Sequence, residues 1–187
     1  MQNGTGSLGT QTLRCQCMIR KYTPSETGKE KKTMRADTRL FGTIDIADDK
    51  LITMEKGMIG FPDLQHFALI FDEERGLDKS NIMWLQSMDE PVVAFPVMMP
   101  SKIKPDYNPK VSEEMIAPLG DLTPDNTFLL VTVTVPKEIE QMAVNLKAPI
   151  IVNTDNEKAV QLIVEDDYPV KYKIYDLLKA EKEGKVE

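Results

Sequence analysis

Short apolar runs separated by polar turns are the feature that most constrains what this chain can fold into. In residues 144–165, two such runs, VNLKAPIIVN and AVQLIVE, lie on either side of a polar turn at 154–157. Runs of this length, bounded by turn-forming residues, are typical of two β-strands joined in a hairpin. The segment contains no Cys, His, Ser or Gly-rich loop. It therefore predicts a hairpin at the edge of a sheet rather than a reaction centre.

The same pattern continues through the rest of the chain after residue 39. Short strands are predicted at 39–47, 50–55, 66–72, 82–88, 92–98, 127–136, 149–153 and 159–165. Strands this short and this regularly punctuated favour an antiparallel barrel or sandwich. Short helices are predicted at 112–117, where Ser112 can cap a first turn that contains two acids, and at 174–182. We therefore predict a mainly β fold: a compact, antiparallel, β-barrel-like domain with one or two short helices.

One turn in this pattern is specific enough to predict a pairing. Asp89, Glu90 and Pro91 separate the runs at 82–88 and 92–98. An acid that bonds the local backbone, followed by a proline with its fixed φ angle, suits a tight connection. The two runs are therefore expected to pair as a hairpin.

Charge divides the chain into two parts. Residues 1–33 are rich in Gly, Ser, Thr, Gln and Lys and have six basic residues against two acidic ones, whereas residues 34–187 have 17 basic and 28 acidic residues, a net charge of −11. We predict that 1–33 is a disordered leader, with Met34 a possible translation start, and that 34–187 forms one domain. Because an acidic surface repels phosphate, we expect no direct nucleic-acid binding by the domain.

The sequence also bears on location and on metal or thiol chemistry. No apolar run approaches the roughly 18 residues of a membrane span, and the N-terminus lacks the apolar core of a secretory signal. A cytoplasmic protein without membrane contact is the expectation. Cys15 and Cys17 are the two cysteines of the chain, so no disulfide framework or four-cysteine zinc site is predicted, and both thiols are expected to be reduced.

Residues 100–124 differ from the rest because they contain five prolines around the tripeptide Asp106-Tyr107-Asn108. Proline cannot donate to a central strand, so this stretch is predicted to be a long connection across one end of the barrel. Long ordered loops often bind partners, and an amphipathic tyrosine suits such a surface. The alternative is that Tyr107 packs the connection down onto the barrel.

A search for catalytic groups finds little. His66 is the one histidine, and it precedes an apolar strand, where a structural role is expected. The loop GMIGFP, which begins at Gly57, has the wrong spacing for a phosphate loop, and its glycines more plausibly form a tight turn. The adjacent acidic pairs point to opposite faces if they lie on strands. Neither a catalytic site, a metal site nor a cofactor is predicted.

Six segments in order along the chain resemble the flagellar assembly factor family FliW. They are FGTIDI, GMIGFPDL, MWLQSMDEPVVAFPV, PDY, VNLKAPIIVN and AVQLIVEDDYPV, and together they extend over essentially all of residues 34–173. The most specific are WLQS with the acidic turn that follows it, and NLKAPI followed by a strand that contains Gln. The leader has no counterpart in this resemblance.

The resemblance implies a compact β-barrel-like fold, no enzymatic activity and two protein partners. The first is CsrA, an RNA-binding translational repressor, and the second is flagellin. In the family's scheme, FliW binds CsrA by an allosteric mechanism and relieves repression of flagellin translation, while unassembled flagellin competes for FliW. A domain with a net charge of −11 suits a basic RNA-binding partner.

Polar residues in the motif-bearing stretches and in the acidic turn are poor choices for a core, and we predict that they face partners. They are Asp89, Glu90, Asp106, Tyr107, Asn145 and Lys147. The residues themselves also allow two alternatives to the CsrA scheme. One is a flagellin-binding chaperone without a CsrA arm, and the other is a small-barrel enzyme or flavin-binding protein.

Overall fold

Seven strands close into a barrel in the computed structural model, which describes residues 10–12, 33–71 and 81–184. The strands in chain order are β1 Thr10–Thr12, β2 Thr33–Thr38, β3 Gly42–Ala47, β4 Leu51–Thr53, β5 His66–Ile70, β6 Met83–Ser87, β7 Ala94–Met98, β8 Lys110–Ser112, β9 Thr127–Thr134, β10 Ala143–Val144, β11 Ile150–Asn153, β12 Lys158–Gln161 and β13 Tyr172–Lys173. The helices described are α1 Glu113–Ile116 and α2 Tyr175–Lys182. Neither is long and apolar enough to cross a membrane.

The barrel runs in the order β4, β5, β6, β7, β9, β11 and β12, and then returns to β4. Its neighbouring strands are antiparallel except at the closing seam, where β12 and β4 are parallel and share the single register pair Lys158↔Thr53. Strands β10 and β13 extend the sheet from β9, and β2 pairs with β3 in a separate hairpin. The prediction of a mainly β, barrel-like domain with short helices is confirmed.

The predicted hairpin in residues 144–165 exists, but its predicted position at a sheet edge is wrong. Strands β11 and β12 pair from Ile150↔Gln161 to Asn153↔Lys158. On its other side β11 pairs with β9, and β12 contacts β4, so the hairpin completes the barrel. Every residue of β11 is buried. An unbroken apolar run of this kind is typical of a strand that is covered on both faces.

Several other predictions can be compared with the described residues. The hairpin around the Asp89 turn is confirmed, because β6 pairs with β7 from Met83↔Val97 to Gln86↔Ala94. The run at 39–47 proves to be a turn followed by β3, whose partner β2 was not predicted.

The predicted leader lies outside the described residues except for β1 and Thr33, so its disorder stays a prediction. Strand β1 pairs with β8.

The barrel interior is filled by aliphatic, methionine and phenylalanine side chains. Among the buried members of this cluster are Ile52, Met54, Phe67, Leu85, Leu130 and Ile150. A second buried cluster lies under the segment 111–119, and a third surrounds Tyr107 and Ile174. Burial of apolar surface on this scale is the main contribution that stabilises the folded chain. The loops around the barrel are thus positioned by a well-packed core.

Candidate functional site

A cleft of about 700 Å³ lies beside the closing seam of the barrel. Three acidic residues line it, Asp48, Asp155 and Glu157, together with His66. Opposite charge attracts, so this cleft favours a basic group over an anion. Among residues 33–71 and 81–184, no three His, Cys, Asp or Glu side chains are grouped so as to hold a metal ion. The cleft is therefore better suited to binding a basic protein surface than to metal chemistry.

The turn after β11 places two of these acids. Asp155 donates its N–H to Asn153 Oδ1 (2.9 Å), which is the hydrogen bond of an Asx turn. Glu157 has φ +55°, a conformation that few non-glycine residues adopt. Its carbonyl accepts the Thr53 N–H (2.8 Å) across the seam. Asp155 and Glu157 are thus positioned by one hydrogen bond within the turn and one across the seam.

Asp89 lies at the surface next to the cleft residue His66. Its Oδ2 accepts the N–H groups of Gln65 (2.6 Å) and His66 (2.7 Å), and its Oδ1 lies 2.8 Å from His66 Nδ1. Partial burial opposes ionisation and alone would raise the pKa of Asp89. The backbone and ring hydrogen bonds from His66 and the backbone bond from Gln65 outweigh it, so the pKa of Asp89 is lowered from its ordinary value. Asp89 therefore holds the start of β5 as a carboxylate.

Glu90, like its neighbour Asp89, is exposed. Its N–H donates to Ser87 Oγ (3.0 Å). The buried Gln86 amide stabilises the turn from within, because Nε2 donates to the carbonyls of Ser87, Pro91 and Val93. A side chain on a turn fixed in this way is presented to a partner with little loss of backbone entropy.

The structure does not support Tyr107 as a partner-facing residue. The side chain is 2% exposed, and its hydroxyl donates to the Leu146 carbonyl (2.7 Å). Its ring packs against Tyr168 with a centroid distance of 4.7 Å. Burial raises the pKa of the Tyr107 phenol well above its ordinary value. The alternative holds, because Tyr107 packs the connection down, while its neighbour Asp106 is exposed and pairs with Lys104 (2.8 Å).

Asn145 and Lys147 are half-buried and bond to the protein itself. Asn145 Oδ1 accepts the N–H groups of Lys147 (3.1 Å) and Ala148 (3.2 Å). Lys147 Nζ donates to the carbonyl of Asp166 (2.7 Å). The six predicted residues thus lie in two groups, the Asp89 turn and the region around Tyr107. Asp89, Glu90 and Asp106 are exposed, Asn145 and Lys147 are half-buried, and Tyr107 is buried.

A third feature, the loop at 57–62, carries exposed apolar side chains. Ile59 is 49% exposed and Phe61 is 46% exposed. The Phe61 ring packs edge-on against Phe95 with a centroid distance of 5.3 Å, and the Ile59 N–H donates to Gln161 Oε1 (2.9 Å). Exposed apolar residues held in place in this way are suited to a protein interface.

Sequence reasoning missed the cleft because its members are distant in the chain. The acids come from the turns at Asp48 and at Asp155, and the register of β4 with β5 and β12 brings these turns together. The sequence does mark both positions as acidic turns. Nothing in it shows that they adjoin, since the parallel contact between β12 and β4 is not local.

Comparison with known proteins gives a consistent result. The family model described as "FliW protein" matches residues 35–174. A "Flagellar assembly factor FliW" from Lachnospira eligens is 44% identical over 150 residues, which are 79% of this chain and 99% of that protein. The protein of the same description from Lachnoclostridium phytofermentans is 40% identical over 140 residues, 74% of this chain and 89% of that protein.

Known structures agree at the level of the fold. The crystal structure of a flagellar assembly factor FliW superposes with a TM-score of 0.68, at 24% sequence identity, over 75% of this chain and 96% of that one. The matched barrel is therefore the shared fold, and the leader lies outside the residues that the family model matches.

Proposed function

This chain belongs to the FliW protein family, and we propose that it acts as a flagellar assembly factor by binding the translational regulator CsrA and flagellin in alternation. Binding to CsrA relieves repression of flagellin translation, and binding to free flagellin ends that relief. The observation that carries the proposal is the family match over residues 35–174. The function rests on protein binding in the cytoplasm and requires no catalytic group or cofactor.

The charge of the domain supports CsrA as a partner. Residues 34–187 have a net charge of −11, and three acidic residues line one cleft beside the seam. A protein that binds RNA presents basic groups, which such a surface attracts over a distance. Electrostatic attraction of this kind accelerates encounter and disfavours acidic partners. The same acidic surface repels RNA. Binding of the domain to CsrA and binding of RNA to CsrA therefore oppose each other.

Relief of repression sets a thermodynamic condition on this binding. The domain must bind RNA-free CsrA more tightly than RNA-bound CsrA, because a ligand with equal affinity for both would shift no RNA. By the same linkage, RNA weakens the binding of the domain to CsrA by the same factor. Free flagellin then restores repression by occupying the domain.

We expect the exposed Glu90 to face CsrA, together with the acids of the cleft. The substitution Glu90→Lys should slow association with CsrA and reduce its dependence on ionic strength, because steering between opposite charges is lost. Surface plasmon resonance at several salt concentrations measures both effects. Glu138→Lys, an exposed acid on another loop, makes the same change in net charge and serves as the control. Equal kinetics for the two variants would remove the Asp89 turn from the interface.

A further inference from the structure

Strand β8 is held firmly on one side only. Val111 is 1% exposed and belongs to the buried cluster that also contains Ile116 and Leu129. The Lys110 N–H donates to Asp166 Oδ2 (2.8 Å). The strand lies outside the nine-stranded sheet, and in the part of the chain that the structure describes its one partner strand is β1. Without β1, these residues would form an ordered strand with an open edge, and such an edge accepts another extended chain.

The chain's own leader occupies this edge. Strand β1 pairs with β8 antiparallel, in the register Thr10↔Ser112, Gln11↔Val111 and Thr12↔Lys110. The pairing is three residues long, so it contributes few hydrogen bonds, and each is of modest net strength. A contact of this size is suited to exchange between docked and released states.

Charge around the edge matches the leader. A groove of about 400 Å³ runs along β8, with Met115 40% exposed beside it. Its charged lining residues are two acids, Glu165 and Asp166, and one base, Lys110. The first turn of α1 adds the exposed acids Glu113 and Glu114. The leader has six basic residues against two acidic ones. The acidic rim therefore attracts the segment that supplies β1.

We propose that β8 is a strand-accepting edge for an extended basic peptide segment, and that the leader of this chain is its resident occupant. The backbone of β8 provides the pairing, and the acids of the groove favour a segment rich in Lys and Arg. Docking of the leader covers this edge, and its release frees the edge for another extended segment. The inference is independent of the proposed binding of CsrA, because it concerns residues 10–12 and 110–112, which are not part of the cleft.

The register gives the first test. In the full chain with Cys15→Ser and Cys17→Ser, the substitutions Thr10→Cys and Ser112→Cys place two thiols directly opposite, at a distance that permits a disulfide. We expect intramolecular oxidation to be much faster for this pair than for Thr10→Cys with Lys110→Cys, which are two residues out of register. Equal rates for the two pairs, or no cross-link in either, would overturn the docking of the leader on β8.

The second test asks whether the edge accepts a segment from outside. A labelled synthetic peptide of residues 6–21, which contains Arg14, Arg20 and Lys21 and has Ser in place of Cys15 and Cys17, is titrated with the full chain and with its Gln11→Pro variant. Proline removes a backbone donor and does not fit the ladder, so the variant should release its leader. We expect it to bind the peptide several-fold more tightly than the unaltered chain, and high salt to weaken this binding.

Two controls make the second test specific. The full chain with Gln16→Pro, a change outside β1, should behave like the unaltered chain. The peptide that itself carries Gln11→Pro should not bind. Peptide binding that is equal for the unaltered chain and the Gln11→Pro chain, or unchanged by proline in the peptide, would contradict a strand-accepting edge.

Discussion

Gly57 shows how strongly a single backbone position is determined in the loop that carries Ile59 and Phe61. Its φ is +63°, and an added Cβ would lie 2.5 Å from the Phe61 carbonyl oxygen and 2.6 Å from that of Pro62. Both atoms belong to the backbone and cannot move aside cheaply. Gly57→Ala should therefore lower the free energy of unfolding by about 2–4 kcal/mol, measured by urea denaturation.

Gly42 provides the matched control for this substitution. Its φ is +67°, yet no atom lies within 4 Å of the added Cβ. Gly42→Ala should cost only about 1 kcal/mol, because it incurs the conformational penalty without the collision. Equal losses for the two variants would mean that the loop relaxes and that the close approach is unimportant.

Tyr107 gives a prediction that separates a structural role from a binding role. Tyr107→Phe removes the donor to the Leu146 carbonyl and leaves that buried acceptor unsatisfied. The free energy of unfolding should fall by about 1–3 kcal/mol, while the affinity for CsrA and for flagellin stays unchanged at a temperature where the variant is folded. Lost affinity without lost stability, from titration and denaturation of the same sample, would restore Tyr107 as a contact residue.

The residue types of the site could be predicted from the sequence, but their contacts could not. Glu90 and Asp106 are exposed as a charged residue in a turn or loop should be. Tyr107 and Lys147 are predicted to face partners because they are polar. Each instead donates to a backbone carbonyl that is distant in the chain, that of Leu146 and that of Asp166 respectively. An amphipathic side chain fits a surface or a satisfied interior equally well. Only the tertiary fold decides between them.

Ionised Asp89 connects the turn between β6 and β7 to the start of β5. Its pKa is lowered in the folded state, so its stabilising contribution is present above the ordinary pKa of an aspartate, about 4. That contribution is lost as the pH falls through the lowered value. Asp89→Asn should therefore reduce stability at pH 7 by about 1 kcal/mol, a modest figure because the side chain is partly exposed.

The pH profile provides the measurement and its control. We expect the difference in unfolding free energy between the unaltered chain and Asp89→Asn to be constant from pH 7 to about pH 5 and to narrow below about pH 4. Glu90 lies on the same turn but does not make the hydrogen bonds that Asp89 makes with His66. Glu90→Gln should therefore show a much smaller difference in unfolding free energy. A gap between the unaltered chain and Asp89→Asn that persists at acidic pH would show that the carboxylate charge is not what holds the turn.

Elements with local causes were predictable, and elements that depend on distant pairing were not. The β6–β7 and β11–β12 hairpins follow from turns within a few residues. Closure of the barrel rests on one parallel pair between Lys158 and Thr53, and no local pattern indicates a contact of that separation. Strands β10 and β13 have two residues each, too short for alternation to be detected. The sequence pattern does not predict strand β2, because Ala36 and Thr38 are the only buried residues among its six.

For the whole molecule, the uneven charge connects the fold to the proposed function. Residues 34–187, which include the barrel, have a net charge of −11, whereas the leader is basic. The acidic barrel domain attracts basic proteins and repels RNA. The barrel holds Glu90 and the cleft acids on turns whose backbones are fixed by hydrogen bonds. Preorganised charge of this kind favours fast and selective encounter with a basic partner. We therefore expect the domain and RNA to oppose each other in binding to CsrA.

A gel-shift titration measures this opposition between the domain and RNA. The full chain is added to a preformed complex of the same organism's CsrA with flagellin leader RNA. We predict that RNA is released in proportion to the added chain and is bound again when flagellin is supplied. If RNA stays bound to CsrA while the chain still binds flagellin, the regulatory role is contradicted and the protein is a flagellin-binding chaperone.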